Sequence, residues 1–318
     1  MSKFHDRLIG MVWSFDMTSK FTTVGIFGKT NDPQTRICVT QLINYLQVQR
    51  IKTYIETETL SHLIELQDES PIEKDNLSKV CDLVIVVGGD GSLLNAARAV
   101  VDGNTPILGI HRGRLGFLTD ISPAQMETTL NDVFNGKYKV DNRSLLKVNV
   151  DSQSEHYQCA LNDIVIYNGD IARLIEFEIF IDDNYVLHQR SDGLIISTPT
   201  GSTAYALSGG GPIVYPTLPN ILIVPMFPHT LSARPLVIHE NSKISVVLSK
   251  ENSSDARISC DGQVHFTVSP GDEIVISGYD KQIQLIHPDS YNYYSVLREK
   301  LGWNLNSSSD RYPSKSSS

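Results

Sequence analysis

Over the first 140 positions, apolar residues fall into short blocks separated by amphipathic stretches. The run from Thr22 to Phe27 ends at Gly28 and reads as a strand. From about Thr35 to Val48, apolar Ile37, Leu42, Ile43 and Leu46 recur with helical spacing. Lys52 to Glu56 reads as a second strand. Leu83 to Val87 is an unbroken apolar run of the kind buried on both faces of a parallel sheet. A helix over Ser92 to Val101 and a strand over Pro106 to Ile110 follow. This alternation predicts a doubly wound, Rossmann-like α/β domain over residues 22–142, preceded by an extension over residues 1–21.

The pattern changes after Asn142. Short strand-like segments follow at Leu145–Val150, Ala160–Tyr167, Leu174–Ile181, Leu194–Ser197, Leu236–Ile238, Ile244–Leu248, Ile274–Ser277 and Ile283–Ile286. Turn signals such as Asp182-Asp183-Asn184 and Pro270-Gly271-Asp272 separate them. They predict a β-rich second domain over residues 143–288. Tyr294 to Leu301 is helical in pattern, so residues 289–305 are expected to return to the first domain. The serine-rich stretch 306–318 reads as a disordered tail.

Composition narrows the function classes. The net charge of −9 offers no basic face for nucleic acid, although a few arginines in one cleft can still hold a small anion. The four cysteines, Cys38, Cys81, Cys159 and Cys260, contain no CxxC pair, which argues against a zinc site or a disulfide framework. They suit a reducing cytoplasm. No apolar stretch reaches the roughly 18 residues of a membrane span, and the apolar run Leu8–Phe15 is short and flanked by Asp6 and Asp16. The histidines show no HExxH-like pairing.

Four constellations carry chemistry. Gly88-Gly89-Asp90-Gly91 follows a strand and opens a helix, so its backbone N–H groups and the helix N-terminus form a cradle for phosphates. It is neither a Walker loop nor GxGxxG. Asp90 is a carboxylate where anions should bind, and it reads equally as a helix cap, a base or a magnesium ligand. The stretch Ser191 to Tyr205 clusters five hydroxyls between Ser197 and Thr203, which either line a polar ligand or cap a turn. Asn162-Asp163 places two polar residues in an apolar strand. Asp261-Gly262 within Cys260-Asp261-Gly262-Gln263 is a hairpin signal. Arg98, Arg112, Arg114, Arg173 and Arg190 lie near these motifs; most surface arginines are simply solvated.

Read in order, these motifs resemble the NAD kinase family, and most closely its ATP-dependent proteobacterial type. So do Gly113 to Asp120 and Val224 to Leu236. The resemblance covers about residues 22 to 303 and implies an active site between the two domains. It implies transfer of the γ-phosphoryl group of ATP to the 2′-hydroxyl of the adenosine ribose of NAD, with Asp90 as general base. It also implies magnesium or another divalent metal carried with ATP. Gly88, Gly89 and Gly91 fall on the ATP side. Asn162 and Asp163 would contact the dinucleotide, Asp192, Thr203, Ala204, Tyr205 and Ser208 would line its pockets, and Arg173, Arg190 and Gln263 fall at ligand-lining positions. Members are homo-oligomers, commonly tetramers, whose subunits can complete each other's sites. The family usually carries Glu where Asp163 stands, and residues 1–16 match nothing in its pattern. Two other readings compete: a lipid or sugar kinase sharing the GGDG loop, and a dinucleotide-sensing module without turnover.

Overall fold

The computed structural model describes residues 21–28, 32–63, 70–113, 115–150, 157–169 and 173–303. The expected tail and all of the N-terminal extension except Phe21 lie outside the described residues, as does Arg114.

The first half runs β1 (Thr23–Gly28), α1 (Pro33–Val48), β2 (Lys52–Glu56), α2 (Thr57–Ser61), β3 (Pro71–Ile72), α3 (Leu77–Val80), β4 (Leu83–Gly88), α4 (Asp90–Val100), β5 (Ile107–His111) and α5 (Met126–Phe134). Its strands pair in parallel in the order β3-β2-β1-β4-β5. All six residues of β4 are buried, which explains its unbroken apolar run. Asp32 caps α1 by accepting from the Thr35 N–H at 2.9 Å, and Pro33 occupies the first helical turn, where its missing N–H costs nothing. Two apolar clusters cover the faces of this sheet: one is built on Val24, Ile26 and Leu42, the other on Val84, Val86 and Leu93.

The second half runs β6 (Tyr138–Val150), β7 (Gln158–Ala160), β8 (Asp163–Asn168), β9 (Ile175–Ile181), β10 (Asn184–Ser191), β11 (Gly193–Ser197), α6 (Tyr205–Ser208), β12 (Asn220–Met226), β13 (Leu236–His239), β14 (Ile244–Leu248), β15 (Ala256–Cys260), β16 (Val264–Val268), β17 (Glu273–Pro288) and α7 (Tyr293–Leu301). An antiparallel sheet in the order β13-β12-β11-β8-β15-β16 faces the antiparallel part of the other sheet. Phe177, Ile179, Ile196, Ile223 and Ile258 pack between them. The fold is thus an α/β half joined to a β-rich half.

Three elements differ from the pattern-based reading. Ile274–Ser277 and Ile283–Ile286 belong to one strand, β17, interrupted by a register shift between Gly278 and Gln282. The polar run there resembled a turn, but it bulges to meet the first half: Tyr279 Oη donates to Asp102 at 2.8 Å and Lys281 Nζ reaches the same carboxylate at 2.9 Å. β17 pairs with β5 at Leu285–Ile286 and with β6 at both ends, so one sheet passes through both halves. Second, the chain breaks its strand at Leu161-Asn162, so Asn162 sits on a corner, with Asp163 opening β8. Third, strands β3, β7, β10, β12, β15 and β16 and helices α2, α3, α5 and α6 were not anticipated. Pro225 disguised β12. β13 pairs with β12 only from Asn220 to Ile223, so beyond that point proline meets an open edge.

Candidate active site

Gly89 and Gly91 line a cleft of about 400 Å³ with Phe27, Glu56, Glu58, Ser92, Arg112 and Gln263. Gly89 is the N-cap of α4 and has no side chain to occupy the first-turn N–H groups, so the helix N-terminus opens toward this cleft. Gly88 is buried behind it; a Cβ there would meet Ser92 Oγ at 2.5 Å. Arg112 brings positive charge to the cleft and pairs with Asp32 at 3.1 Å. Among the described residues no three His, Cys, Asp or Glu side chains converge as a metal cage. Of the two carboxylates at the cleft, Glu56 is buried and caps α2 by accepting the Glu58 and Thr59 N–H groups, while exposed Glu58 suits a hard cation that arrives already coordinated by phosphates.

Asp90 is the first residue of α4, and its carboxylate is not a cap for that helix. Oδ2 accepts from the Phe117 N–H at 2.9 Å and Oδ1 from the Leu118 N–H at 3.0 Å, with Thr119 Oγ1 at 3.4 Å. The loop after β5 therefore wraps the carboxylate. The fit is tight: a Cβ on Gly116 would lie 2.1 Å from Asp90 Oδ1. The loop closes on itself through Gly116 N–H to Thr119 O at 3.1 Å, and at its base through His111 N–H to Ile121 O at 2.9 Å.

A second cavity of about 390 Å³ is lined by Asn162, Asp163, Val165, Tyr167, Ala204, Tyr205, Met226, Ser259, Asp261 and Gly262. Its organising residue is Asp261. The turn between β15 and β16 has positive φ at Asp261 (53°) and Gly262 (66°), the geometry of a two-residue hairpin. From that turn the carboxylate accepts N–H groups from Leu161 (3.1 Å), Asn162 (2.7 Å) and Asp163 (3.3 Å), and so shapes the corner that presents Asn162. Arg98 of α4 completes it at 2.7 Å, in a pair whose side chains are 12% and 0% exposed. Gln263 accepts from Arg98 and donates to Gly91 O at 2.7 Å. One turn thus borders both cavities, Asp261 and Gly262 on one side and Gln263 on the other.

Asp163 is 5% exposed. Burial and the neighbouring Asp261 push its carboxyl up to about 7, against the Tyr205 backbone N–H, which favours the charged form. Burial also pushes Asp261 up, opposed by the Asn162 and Leu161 N–H groups and by Arg98.

The structure brings together Asn162, Asp163, Ala204 and Tyr205 at one cavity and Gly89, Gly91 and Gln263 at the other. Gly88, Asp90, Thr203, Ser208, Arg173, Arg190 and Asp192 line neither. The clustered hydroxyls have internal partners. Ser197 and Thr198 Oγ1 hold the Asn162 and Leu161 carbonyls, Thr200 meets Arg143, Ser202 holds Pro199 O and the Val214 N–H, and Thr203 caps Thr200 O. What the segment offers the cavity is its backbone and Tyr205. Gly201 makes this possible, because a Cβ there would lie 2.1 Å from Asn162 O. Arg98 and Asp261 were underrated by sequence reasoning: one was grouped with solvated arginines, the other read only as a turn. Their cue is Arg98 two helical turns after Asp90, on the helix that lines the cleft. Arg190 and Asp192 are exposed beside the second cavity, where Asp192 N–H donates to Met226 O at 3.0 Å.

A helix N-terminus open to a cleft, a carboxylate held on its first turn and a second cavity across one shared turn are the parts of a nucleotide-dependent kinase site. The chain matches the ATP-NAD kinase N-terminal domain over residues 24–138 and the ATP-NAD kinase C-terminal domain over residues 161–288, and it belongs to the ATP-NAD kinase family. It is 46% identical over 285 residues to the NAD kinase of Teredinibacter turnerae, spanning 89% of this chain and 97% of that one. It is 48% identical over 286 residues to that of Pseudomonas fluorescens, spanning 89% and 96%. Among solved structures it resembles yeast NADH kinase complexed with NADH (TM-score 0.81, 27% identity, 93% of this chain and 94% of that one). An Archaeoglobus fulgidus NAD kinase in complex with ATP shares the fold (TM-score 0.70, 24% identity, 87% and 98%).

Proposed function

We propose that this chain is an NAD kinase that transfers the γ-phosphoryl group of ATP to the 2′-hydroxyl of the adenosine ribose of NAD, giving NADP and ADP. The observation that carries the reading is the position of Asp90: it lines neither cavity itself, but Gly89 and Gly91 on either side of it line the cleft, and Gly91 O accepts from Gln263 of the turn that borders the second cavity. Triphosphate at the N-terminus of α4 meets backbone donors and the helix dipole. A divalent metal, magnesium by its chemistry, comes with the triphosphate and neutralises its charge; Glu56 and Glu58 are the carboxylates lining the cleft. NAD enters the second cavity against Asn162, Asp163 and Tyr205.

Three carboxylates stand near the reacting groups, and their surroundings separate their roles. Asp261 is saturated by three N–H groups and Arg98, so it is an anchor. Asp163 faces the dinucleotide cavity and accepts the Tyr205 N–H. Asp90 keeps a lone pair on Oδ2, which accepts only the Phe117 N–H while Oδ1 already takes the Leu118 N–H and Thr119 Oγ1, and it takes the 2′-hydroxyl proton there. The ribose oxygen bonds to the γ-phosphorus, the bond to the bridging oxygen breaks, and ADP leaves with that electron pair. In a loose transition state the proton is surrendered late, so a carboxylate is basic enough.

Thr203, Ser208, Arg173, Arg190 and Asp192 do not line the cavity, which supports a homo-oligomer in which the exposed Arg190 and Asp192 serve a neighbouring subunit. Phe227 and Leu231, 78% and 97% exposed, follow the Met226 end of β12 and offer apolar surface for the contact. The reading also implies a cytoplasmic enzyme. No described helix is long and apolar enough to cross a membrane. The test is incubation with ATP, magnesium and NAD, followed by detection of NADP with an NADP-specific dehydrogenase. NADP binding without turnover would favour the sensing module. Phosphorylation of a lipid or sugar in place of NAD would favour the other kinase reading.

A further inference from the structure

Behind the Asp90 loop lies a buried polar cluster that the mechanism above does not use. Asp120 ends the loop that wraps Asp90, two residues after Leu118. Its Oδ2 is 2.9 Å from Nδ1 of His287, near the end of β17, with side-chain exposures of 6% and 1%. An ionised carboxylate has no hydrogen to give, so Nδ1–H is the donor. On its other side His287 Nε2 faces Asp141 Oδ2 of β6 at 3.9 Å. Asp141 pairs with Arg143 at 3.0 Å, and Arg143, 2% exposed, reaches Thr200 Oγ1 at 3.4 Å. Tyr291 stacks on the imidazole with ring centroids 3.8 Å apart and planes within 9°.

The facing groups are thus Asp120 from the loop, Asp141 and Arg143 from β6, and Tyr291 from the turn after β17. Together they join the loop that grips the Asp90 carboxylate to the Thr200 turn that leads into the dinucleotide cavity. Removing ionisable groups from water is costly, and this cluster does not use all its hydrogen-bonding capacity: among the described residues Asp120 Oδ1, His287 Nε2 and Arg143 Nε have no hydrogen-bond partner. Apolar residues would fill the same space at less cost. What ions and an oriented imidazole add is direction, and here the direction is that of Asp120.

We propose that His287 is a positioning residue for catalysis: through Asp120 it fixes the loop whose Phe117 and Leu118 N–H groups aim the Asp90 carboxylate. This rests on Asp90 being the base. His287 touches neither nucleotide cavity, so its effect falls on turnover and not on substrate binding.

The test compares two polar substitutions of similar size. In His287→Asn the side-chain amide nitrogen takes approximately the place of Nδ1 and still reaches Asp120. In His287→Gln it takes approximately the place of Nε2 and does not. Turnover of His287→Gln should fall by roughly 10- to 100-fold, the usual effect of ångström-scale misplacement. KM for NAD and ATP should stay within about 2-fold, because the nucleotide-binding groups are untouched. His287→Asn should keep most of the parent turnover. Equal turnover in the two variants, or a loss carried by KM, overturns the proposal. Asp90→Asn is assayed alongside. If it retains normal turnover, the reading of Asp90 fails and takes this inference with it. If it is inactive while the two His287 variants match, only the role of His287 fails.

Discussion

Asp90→Asn separates the clamp that the structure shows for this carboxylate from the base proposed for it. As a clamp, Asp90 accepts N–H groups from Phe117 and Leu118, one on each oxygen. Asparagine keeps one acceptor and turns an NH2 toward the other N–H, so one charged hydrogen bond is lost. Such a bond contributes about 1.5–3 kcal/mol, which for a chain of this size lowers the melting temperature by about 2–5 °C. As a base, the same change should lower turnover by about 10²–10⁴. Gly116→Ala is the control: its Cβ would fall 2.1 Å from Asp90 Oδ1, loosening the loop's grip while the carboxylate keeps its charge. The assays are steady-state turnover across a magnesium titration, calorimetric NAD affinity and thermal unfolding. The expected result is a stable, NAD-binding Asp90→Asn with far lower turnover than Gly116→Ala at comparable melting temperature. Equal turnover losses in the two variants would reduce Asp90 to a loop clamp, and recovery of Asp90→Asn in excess metal would make it a metal ligand.

Asp261→Ala strands Arg98 and three backbone N–H groups, so it should cost about 3–5 kcal/mol, as breaking a buried ion pair does; an unchanged urea midpoint would contradict this. The Asp163 carboxyl is raised from 3.8 to about 7, so the folded protein binds that proton more tightly than the unfolded chain does. The stability this gives is present below about pH 4 and is lost as pH rises through 7, up to a ceiling of about 4 kcal/mol at about 1.4 kcal/mol per unit. Asp163→Asn should therefore gain melting temperature relative to the parent at pH 8 but not at pH 4; a pH-independent difference would count against it. Arg190, bulky and exposed beside Asp192, should favour NAD over NADH, and equal kcat/KM for the two would remove that role.

The α/β half was legible because its signals are local. β4 is buried on both faces and so is apolar throughout, and the Gly-Gly-Asp-Gly turn follows where a strand must hand over to a helix. The β-rich half was less legible because its strands answer to long-range pairing. β17 reads as two strands until the partner of its bulge, Asp102, 177 residues from Tyr279, is known. The same holds at the site. Asn162, Asp163, Ala204 and Tyr205 meet at one cavity, but the hydroxyls that made the Ser197–Thr203 segment conspicuous turn inward to hold carbonyls. Asp261 looked like a turn residue and is one. Its second role needs Leu161 and Arg98, 100 and 163 residues away, and no window of sequence contains that information.

These long-range contacts converge on α4. Near its N-terminus Gly91 O accepts from Gln263; two turns later Arg98 pairs with Asp261; just past its end Asp102 receives Tyr279 and Lys281. Each partner belongs to the second half, so the helix whose N-terminus faces the phosphate cleft is gripped along its whole length by the half that holds the dinucleotide cavity. β6 and β17 run through both halves in one sheet, and a hinge between the halves would have to break their pairing. Approach of the two substrates is then set by geometry already in place. Donors aimed at transferring charge stabilise it most when they need not reorganise, and a helix fixed at three points meets that condition before either nucleotide binds. The parts left to respond are the Asp90 loop and the turn before Tyr205, both held by side-chain hydrogen bonds, and these two segments carry the groups nearest the reaction.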